Sequence, residues 1–130
     1  MKVLVVEDDR SIQMVLELVL GRMAKCEVVL ASNGKEGIEA LRKHKPDMVL
    51  LDIMMPEMDG FEVCRLAKAD PVTQNVPIIF LTAQPQPAAV AKAMSLGAAG
   101  YLVKPFDPMK IIDQINESLQ RVQAPTLKVA

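Results

Sequence analysis

The chain has no tryptophan, one tyrosine and three phenylalanines, so its core must be largely aliphatic. Nine methionines make that core soft and adaptable. Cysteine is scarce as well. Cys26 and Cys64 lie in different segments, without CxxC or other metal-ligand spacing. They argue against a disulfide framework and read as two reduced core thiols. No basic block breaks the balance of 15 Lys and Arg against 16 Asp and Glu, which points away from direct nucleic-acid binding. No apolar run approaches the ~18 residues that mark a membrane span, and no signal-peptide pattern precedes the first run. The expectation is a soluble, cytoplasmic protein with no membrane contact. There is no GxxxxGK[ST] segment, no internal repeat and no low-complexity tract. With 130 residues the chain is long enough for one domain with a real core.

What the chain does have is alternation. Five apolar runs are separated by amphipathic stretches, which is the pattern of βα units and a parallel sheet. The runs are KVLVV, CEVVLA, MVLL, VPIIFL and GYLV. The first amphipathic stretch carries Ile12, Val15, Leu16, Val19 and Met23 at helical spacing, with Gly21 a mild flaw near its end. Asn33-Gly34 opens the second helix, which carries Ile38 and Leu41, and Pro46 closes that segment. Asp59-Gly60 opens the third, with Val63, Cys64 and Ala67 on its apolar face. The Gln84-Pro85-Gln86-Pro87 segment forces an extended lead into the fourth, because residues before proline avoid the α region. Asp107-Pro108 predicts an N-cap with proline at the first position of the fifth helix. Ile112, Ile115, Leu119 and Val122 form its stripe, and Pro125 ends it. Apolar strands without alternation require helices on both sheet faces, hence a doubly wound sandwich. The tail 124–130 is a terminus or a linker stub.

Four polar residues end four of these runs. Asp8 follows the first with Glu7, Asp52 ends the third, Thr82 the fourth, and Lys104 follows the fifth. Open parallel sheets bind ligands beyond the carboxyl ends of their strands, so one pocket should gather a carboxylate cluster, a hydroxyl and an ammonium. Taken singly, each has a bland reading: a solvated acidic turn, a helix-capping threonine, an exposed lysine before a turn. Together they suit a divalent cation and a phosphoryl group. Unit charges 4 Å apart repel by about 4 kcal/mol at an effective dielectric of 20, so three carboxylates call for a cation. Hard oxygen donors select Mg²⁺ or Mn²⁺ over zinc.

The segments VLVVEDD, VLLDIMMPEMDG, PIIFLTA and GAAGYLVKPF resemble the receiver domain of two-component response regulators, from Lys2 to about Val122. The resemblance implies a flavodoxin-like α/β sandwich: a five-stranded parallel sheet of order 2-1-3-4-5 with five helices. Residues 1–123 would form the receiver. Asp52 would be the phosphoacceptor for a histidine kinase or histidine phosphotransfer protein. Asp8 would bind Mg²⁺ directly, Glu7 through water, and Met54 through its backbone carbonyl. Thr82 would be the switch hydroxyl and Lys104 the phosphate's counter-charge, with a cis Lys104-Pro105 bond. Tyr101 would be the aromatic switch residue, the plain alternative being a core aromatic. Asp9 falls just beyond the acidic pair and reads as a bystander.

Ile12 and Pro105-Phe106 flank the expected pocket mouth, as partner contacts or as ordinary packing. The fourth helix, AAVAKAMSLGAA, contains no acid and offers a small apolar outer face. With the fifth strand and fifth helix it would form the output face toward a downstream protein or domain. His44, in RKHKP, reads as a helix C-terminal residue facing solvent rather than a relay histidine.

Three rivals are weaker. A haloacid-dehalogenase-type phosphatase needs a second acid two positions after its nucleophile, and here that residue is Met54. A flavin-mononucleotide binder needs a phosphate-holding first loop, which Glu7-Asp8-Asp9 would repel. A receiver used only for binding would not need the acid, threonine and lysine set. Whether the chain acts alone or as the first domain of a longer regulator stays open at this point.

Overall fold

The structure is a computed structural model that describes residues 1–129, so Ala130 of the tail lies outside the described residues. Each apolar run becomes a strand: β1 (Lys2–Val6), β2 (Glu27–Ala31), β3 (Met48–Asp52), β4 (Ile78–Thr82) and β5 (Gly100–Val103). They pair in parallel in the order β2-β1-β3-β4-β5, with α1 (Arg10–Leu18), α2 (Gly34–His44), α3 (Gly60–Ala69), α4 (Pro87–Ser95) and α5 (Ile111–Arg121) between and after them.

Strand β1 shows why the runs lack polar alternation. Val3 and Val5 enter one apolar layer with Leu16 and Leu20 and with Ile111, Ile115 and Leu119 of α5. Leu4 and Val6 enter the opposite layer with Leu41 of α2, Val63, Cys64 and Ala67 of α3, and Ala93 of α4. Successive side chains point to opposite faces. Both faces are covered, so both sets must be apolar. Cys26 and Cys64 are free and buried, as expected.

The helices begin where polar caps allow. The side chains of Asp9, Asn33 and Asp59 accept backbone N–H groups at the starts of α1, α2 and α3. Gln86 is extended and Pro87 opens α4.

Three expectations need correction. In α1 the buried positions are Gln13 and Leu16, while Val15 is exposed, and the helix widens into a π-helical turn at Val19–Met23. Gln13, Leu16 and Leu20 share the inward face at i, i+3 and i+7, and Val15 lies about 100° round the helix from Leu16. In α5 the regular helix starts at Ile111, because Asp107 first closes a separate turn, its Oδ1 accepting Met109 N–H at 2.9 Å. Helix α5 also ends at Arg121, ahead of Pro125. Gln123 adopts a left-handed φ of 59°, which carries Val122 into solvent.

The tail folds back. Asn116 of α5 donates to the Leu127 carbonyl at 2.9 Å and accepts the Leu127 N–H at 2.7 Å, and the Leu127 side chain is buried in the α1–α5 layer.

One glycine bears directly on the carboxyl edge of the sheet. A Cβ on Gly60 would strike the backbone carbonyl of Asp52, and the Gly60 N–H instead donates to Ile53 O at 2.9 Å. A Cβ on Gly21 would meet nothing within 4 Å. Gly60→Ala is therefore expected to cost about 1–3 kcal/mol in urea unfolding, by overpacking. Gly21→Ala should be stabilising by roughly 0.5–1 kcal/mol, through the lower entropy of its unfolded chain. Equal effects of the two would show that the Gly60 contact is not what limits that position.

Candidate functional site

The ladder registers bring the four strand ends to one edge of the sheet. Val6 of β1 pairs with Leu51 of β3, Asp52 of β3 with Leu81 of β4, and Thr82 of β4 with Val103 of β5. Glu7 and Lys104 follow directly on β1 and β5, so they meet Asp52 from both sides.

The centre of the site is a charge cluster. Carboxylate oxygens of Glu7, Asp8 and Asp52 lie within 4.8 Å of one another; Glu7 and Asp52 are buried and Asp8 is exposed. The Lys104 ammonium stands 2.6 Å from Glu7 Oε1 and 3.2 Å from Asp52 Oδ1. Glu7 Oε2 accepts the Asp9 N–H at 3.0 Å, but the buried Oε1 has no conventional hydrogen-bond partner and relies on Lys104. Asp52 Oδ1 also accepts the Met54 N–H at 3.2 Å, which turns the Met54 side chain outward, 78% exposed.

One ammonium does not neutralise this set. Burial, then the hydrogen-bonding and charge of Glu7, push the Asp52 carboxyl up to about 7 despite Lys104. Burial opposes the charge on Lys104, yet the hydrogen bond and charge of Glu7 and the charge of Asp52 outweigh it and hold the ammonium above the usual lysine range. Three hard carboxylate donors served by a single ammonium fit a small divalent cation. They do not fit zinc, which prefers nitrogen and sulfur ligands.

The remaining expected residues fall around this cluster. Thr82 is buried, and its hydroxyl is satisfied locally, donating to Gln84 O and accepting from Gln84 N–H, both at 3.1 Å. It does not bond Asp52. Tyr101 is 40% exposed beside Gln114 and Glu117 of α5, which overturns the alternative of a core aromatic. The Lys104-Pro105 bond is cis. Asp9 does not join the acidic cluster; it accepts Ser11 N–H at 2.9 Å and the Ser11 hydroxyl at 2.6 Å. Those bonds hold its carboxyl below the usual range. A groove of about 360 Å³ opens beside Lys104, lined by Ser11, Ile12, Val15, Ala83, Pro105 and Phe106.

Sequence reading passed over Gln13. It is 2% exposed, and its amide donates to the Glu7 carbonyl at 2.5 Å. Its phase was the available signal: Gln13, Leu16 and Leu20 stand at i, i+3 and i+7.

A doubly wound sheet thus gathers three acids and a lysine at its carboxyl edge, a site suited to a small divalent cation and an anion. The comparisons with known proteins agree. Residues 3–116 match the response regulator receiver domain family. The chain is 37% identical over 120 residues to the DNA-binding response regulator MtrA of Mycobacterium tuberculosis, covering 92% of this chain and 51% of that protein. It is 40% identical over 126 residues to the "Probable transcriptional regulator ycf27" of Cyanophora paradoxa, covering 97% of this chain and 51% of that protein. The chain thus spans about half the length of the curated relatives it matches. Among solved structures, the chemotaxis protein CheY4 of Vibrio cholerae superposes with a TM-score of 0.84 at 34% identity, covering 93% of this chain and 97% of that one. The N-terminal domain of a response regulator receiver protein from Methanoculleus marisnigri gives a TM-score of 0.74 at 36% identity, covering 89% and 94%. The chain belongs to the response regulator receiver domain family and is a receiver of two-component signal transduction. Members of this family are signalling proteins phosphorylated by histidine kinases, typically with Mg²⁺.

The Asp52 environment sets a pH dependence. The unfolded chain releases this proton near pH ~3.9. The folded chain holds it to about 7. The native state therefore binds the extra proton, and this group's contribution to stability falls as pH rises through that window. Without metal, Asp52→Asn should raise the urea midpoint at pH 8 and change it little at pH 4. A variant less stable than the parent at pH 8 would refute this electrostatic account.

Proposed function

We propose that this chain is a phosphorylation-activated switch whose phosphoacceptor is Asp52. The observation that carries the proposal is the meeting of Glu7, Asp8, Asp52 and Lys104 at one sheet edge. The Asp52 carboxylate attacks the phosphorus of a phosphohistidine on a histidine kinase or histidine phosphotransfer protein. The P–N bond breaks, its electron pair leaves with the imidazole, and Asp52 becomes an acyl phosphate. The transfer is mostly positioning and charge neutralisation, because charge spreads over the equatorial oxygens.

Asp8, Asp52 and the Met54 carbonyl would hold Mg²⁺ or Mn²⁺ directly, and Glu7 through water. Such a cation would supply charge neutralisation for the carboxylates and for the transferring group. Lys104 is already in place as the second positive charge. Met54 supplies no acid to a leaving group, in keeping with self-phosphorylation and self-dephosphorylation rather than turnover of esters.

The product carries about two negative charges and new acceptor oxygens. Thr82 then exchanges its bonds to the Gln84 backbone for one to the phosphoryl group, and Tyr101 turns from solvent into the space vacated. This biases the face formed by α4, β5 and α5. Ala88, Ala91 and Met94 of α4 and Val103 of β5 are exposed there, and they meet a downstream protein or output domain. The groove beside Lys104, with Ile12 and Phe106 at its mouth, receives the phosphohistidine-bearing helix. Residues 1–123 form the switch and 124–130 the tail, in the cytoplasm, with neither nucleic acid nor membrane bound by this unit.

A second reading is favoured by relative length. Curated relatives about twice as long are named as DNA-binding or transcriptional regulators, and on this reading the chain is the first domain of such a regulator; it also matches CheY4 almost end to end.

The test is intact-mass measurement after incubation with Mg²⁺ and a small acyl-phosphate donor. One phosphoryl group should be gained by the parent, none by Asp52→Asn, and none when Mg²⁺ is chelated. Thr82→Ala should still gain it, since its hydroxyl reads out the product. No gain by the parent with any acyl- or amido-phosphate donor would overturn the phosphoacceptor assignment.

A further inference from the structure

We infer that Gln13 is a positioning residue for the Glu7–Asp8 loop and sets the cation affinity of the site. The inference rests on the metal-assisted reading above.

Gln13 is a buried polar residue on the inner face of α1, where an aliphatic side chain would pack. Its amide is used on both sides. Nε2 donates to the Glu7 carbonyl at 2.5 Å and lies 3.3 Å from Ser32 Oγ, while Oε1 accepts from Arg10 Nη1 at 3.1 Å. The amide orientation follows from these partners, since a carbonyl needs a donor and a guanidinium needs an acceptor.

The Glu7 carbonyl belongs to the peptide that joins Glu7 to Asp8. Holding that oxygen fixes the peptide plane, and with it the directions in which the two carboxylates leave the chain. Glu7 N–H is held from the other side by the Ala31 carbonyl at 3.0 Å, and Asp9 N–H by Glu7 Oε2 at 3.0 Å. Among these anchors, Gln13 alone is a side chain outside the loop and its strand. It ties the acidic loop to α1 and, through Ser32, to the segment after β2. Partners that orient metal ligands in this way typically contribute 10–100-fold to metal affinity.

The experiment is calorimetric titration of the unphosphorylated protein with MgCl₂, comparing the parent with Gln13→Met, which keeps the volume and removes the donor. Thr73→Val is the control: Thr73 is buried and its hydroxyl donates to Ala67 O at 2.7 Å, on α3 and away from the acidic loop. Gln13→Met should weaken Mg²⁺ binding at least ~10-fold, while Thr73→Val leaves it unchanged despite a comparable loss of stability. Phosphorylation of Gln13→Met by an acyl-phosphate donor should recover at saturating Mg²⁺, separating a binding effect from a chemical one. If Gln13→Met does not fold, Ser32→Ala on the exposed loop should weaken Mg²⁺ binding a few-fold.

Mg²⁺ affinity of Gln13→Met within twofold of the parent would overturn the inference, as would equal weakening by Thr73→Val. So would unchanged affinity in Ser32→Ala where the first variant fails to fold. A parent that does not bind Mg²⁺ overturns it together with the metal reading. A parent that binds Mg²⁺ but gains no phosphoryl group sinks the phosphoacceptor reading and leaves the Gln13 result standing.

Discussion

The Lys104 ammonium holds the acidic edge of this sheet together. Glu7 and Asp52 are both buried, and at a separation near 4 Å two such charges repel by about 4 kcal/mol at an effective dielectric of 20. Lys104 stands between them and is the sole partner of one buried Glu7 oxygen. Its position is set by β5, an edge strand paired only with β4, through the Thr82–Val103 register. A one-residue slip of that register would turn every β5 side chain to the other face and withdraw the ammonium. The charge balance of the site therefore depends on the strand pairing farthest from β1. It remains incomplete even so, which is why Asp52 holds its proton so high and why a further cation is at home there.

Much of this was legible from the residues, for definite physical reasons. The central strands declared themselves because both of their faces are buried, so KVLVV and MVLL carry no polar alternation that could be mistaken for a surface. The site followed from topology: carboxyl ends of parallel strands share an edge, and Asp8, Asp52, Thr82 and Lys104 occupy those ends. What failed was phase. The inward face of α1 is set by Gln13, Leu16 and Leu20 at i, i+3 and i+7, so Val15 faces solvent, and a stripe drawn through apolar residues alone leaves out Gln13. The separate turn at Asp107 and the left-handed Gln123 likewise moved the two ends of α5. Hydrogen-bond partners were not legible at all. Nothing in the spelling of Thr82 says that its hydroxyl faces the Gln84 backbone instead of Asp52.

The comparisons divide the same fold between two kinds of protein. CheY4 is matched over nearly its whole length, whereas MtrA and the ycf27 regulator each extend as far again beyond the region shared with this chain. The shared unit is thus the receiver domain, and it occurs in both settings. What differs between them is whatever the outer surface meets. In this chain α4 carries four alanines, one lysine and no acid, so its outer surface offers small apolar area and little charge.

The Asn116–Leu127 clasp has a mechanical consequence. Because the returning tail is pinned at Leu127 and buried against the same layer as α5, helix and tail form one lever instead of a helix followed by a slack tether. Helix α5 has 11 residues. At 1.5 Å per residue its arm is about 16 Å, so a tilt of roughly 10° at one end displaces the other by about 3 Å. Leu127 is clasped at Asn116, midway along that arm, so a segment attached past Val129 would move with the middle of the helix, by about half as much.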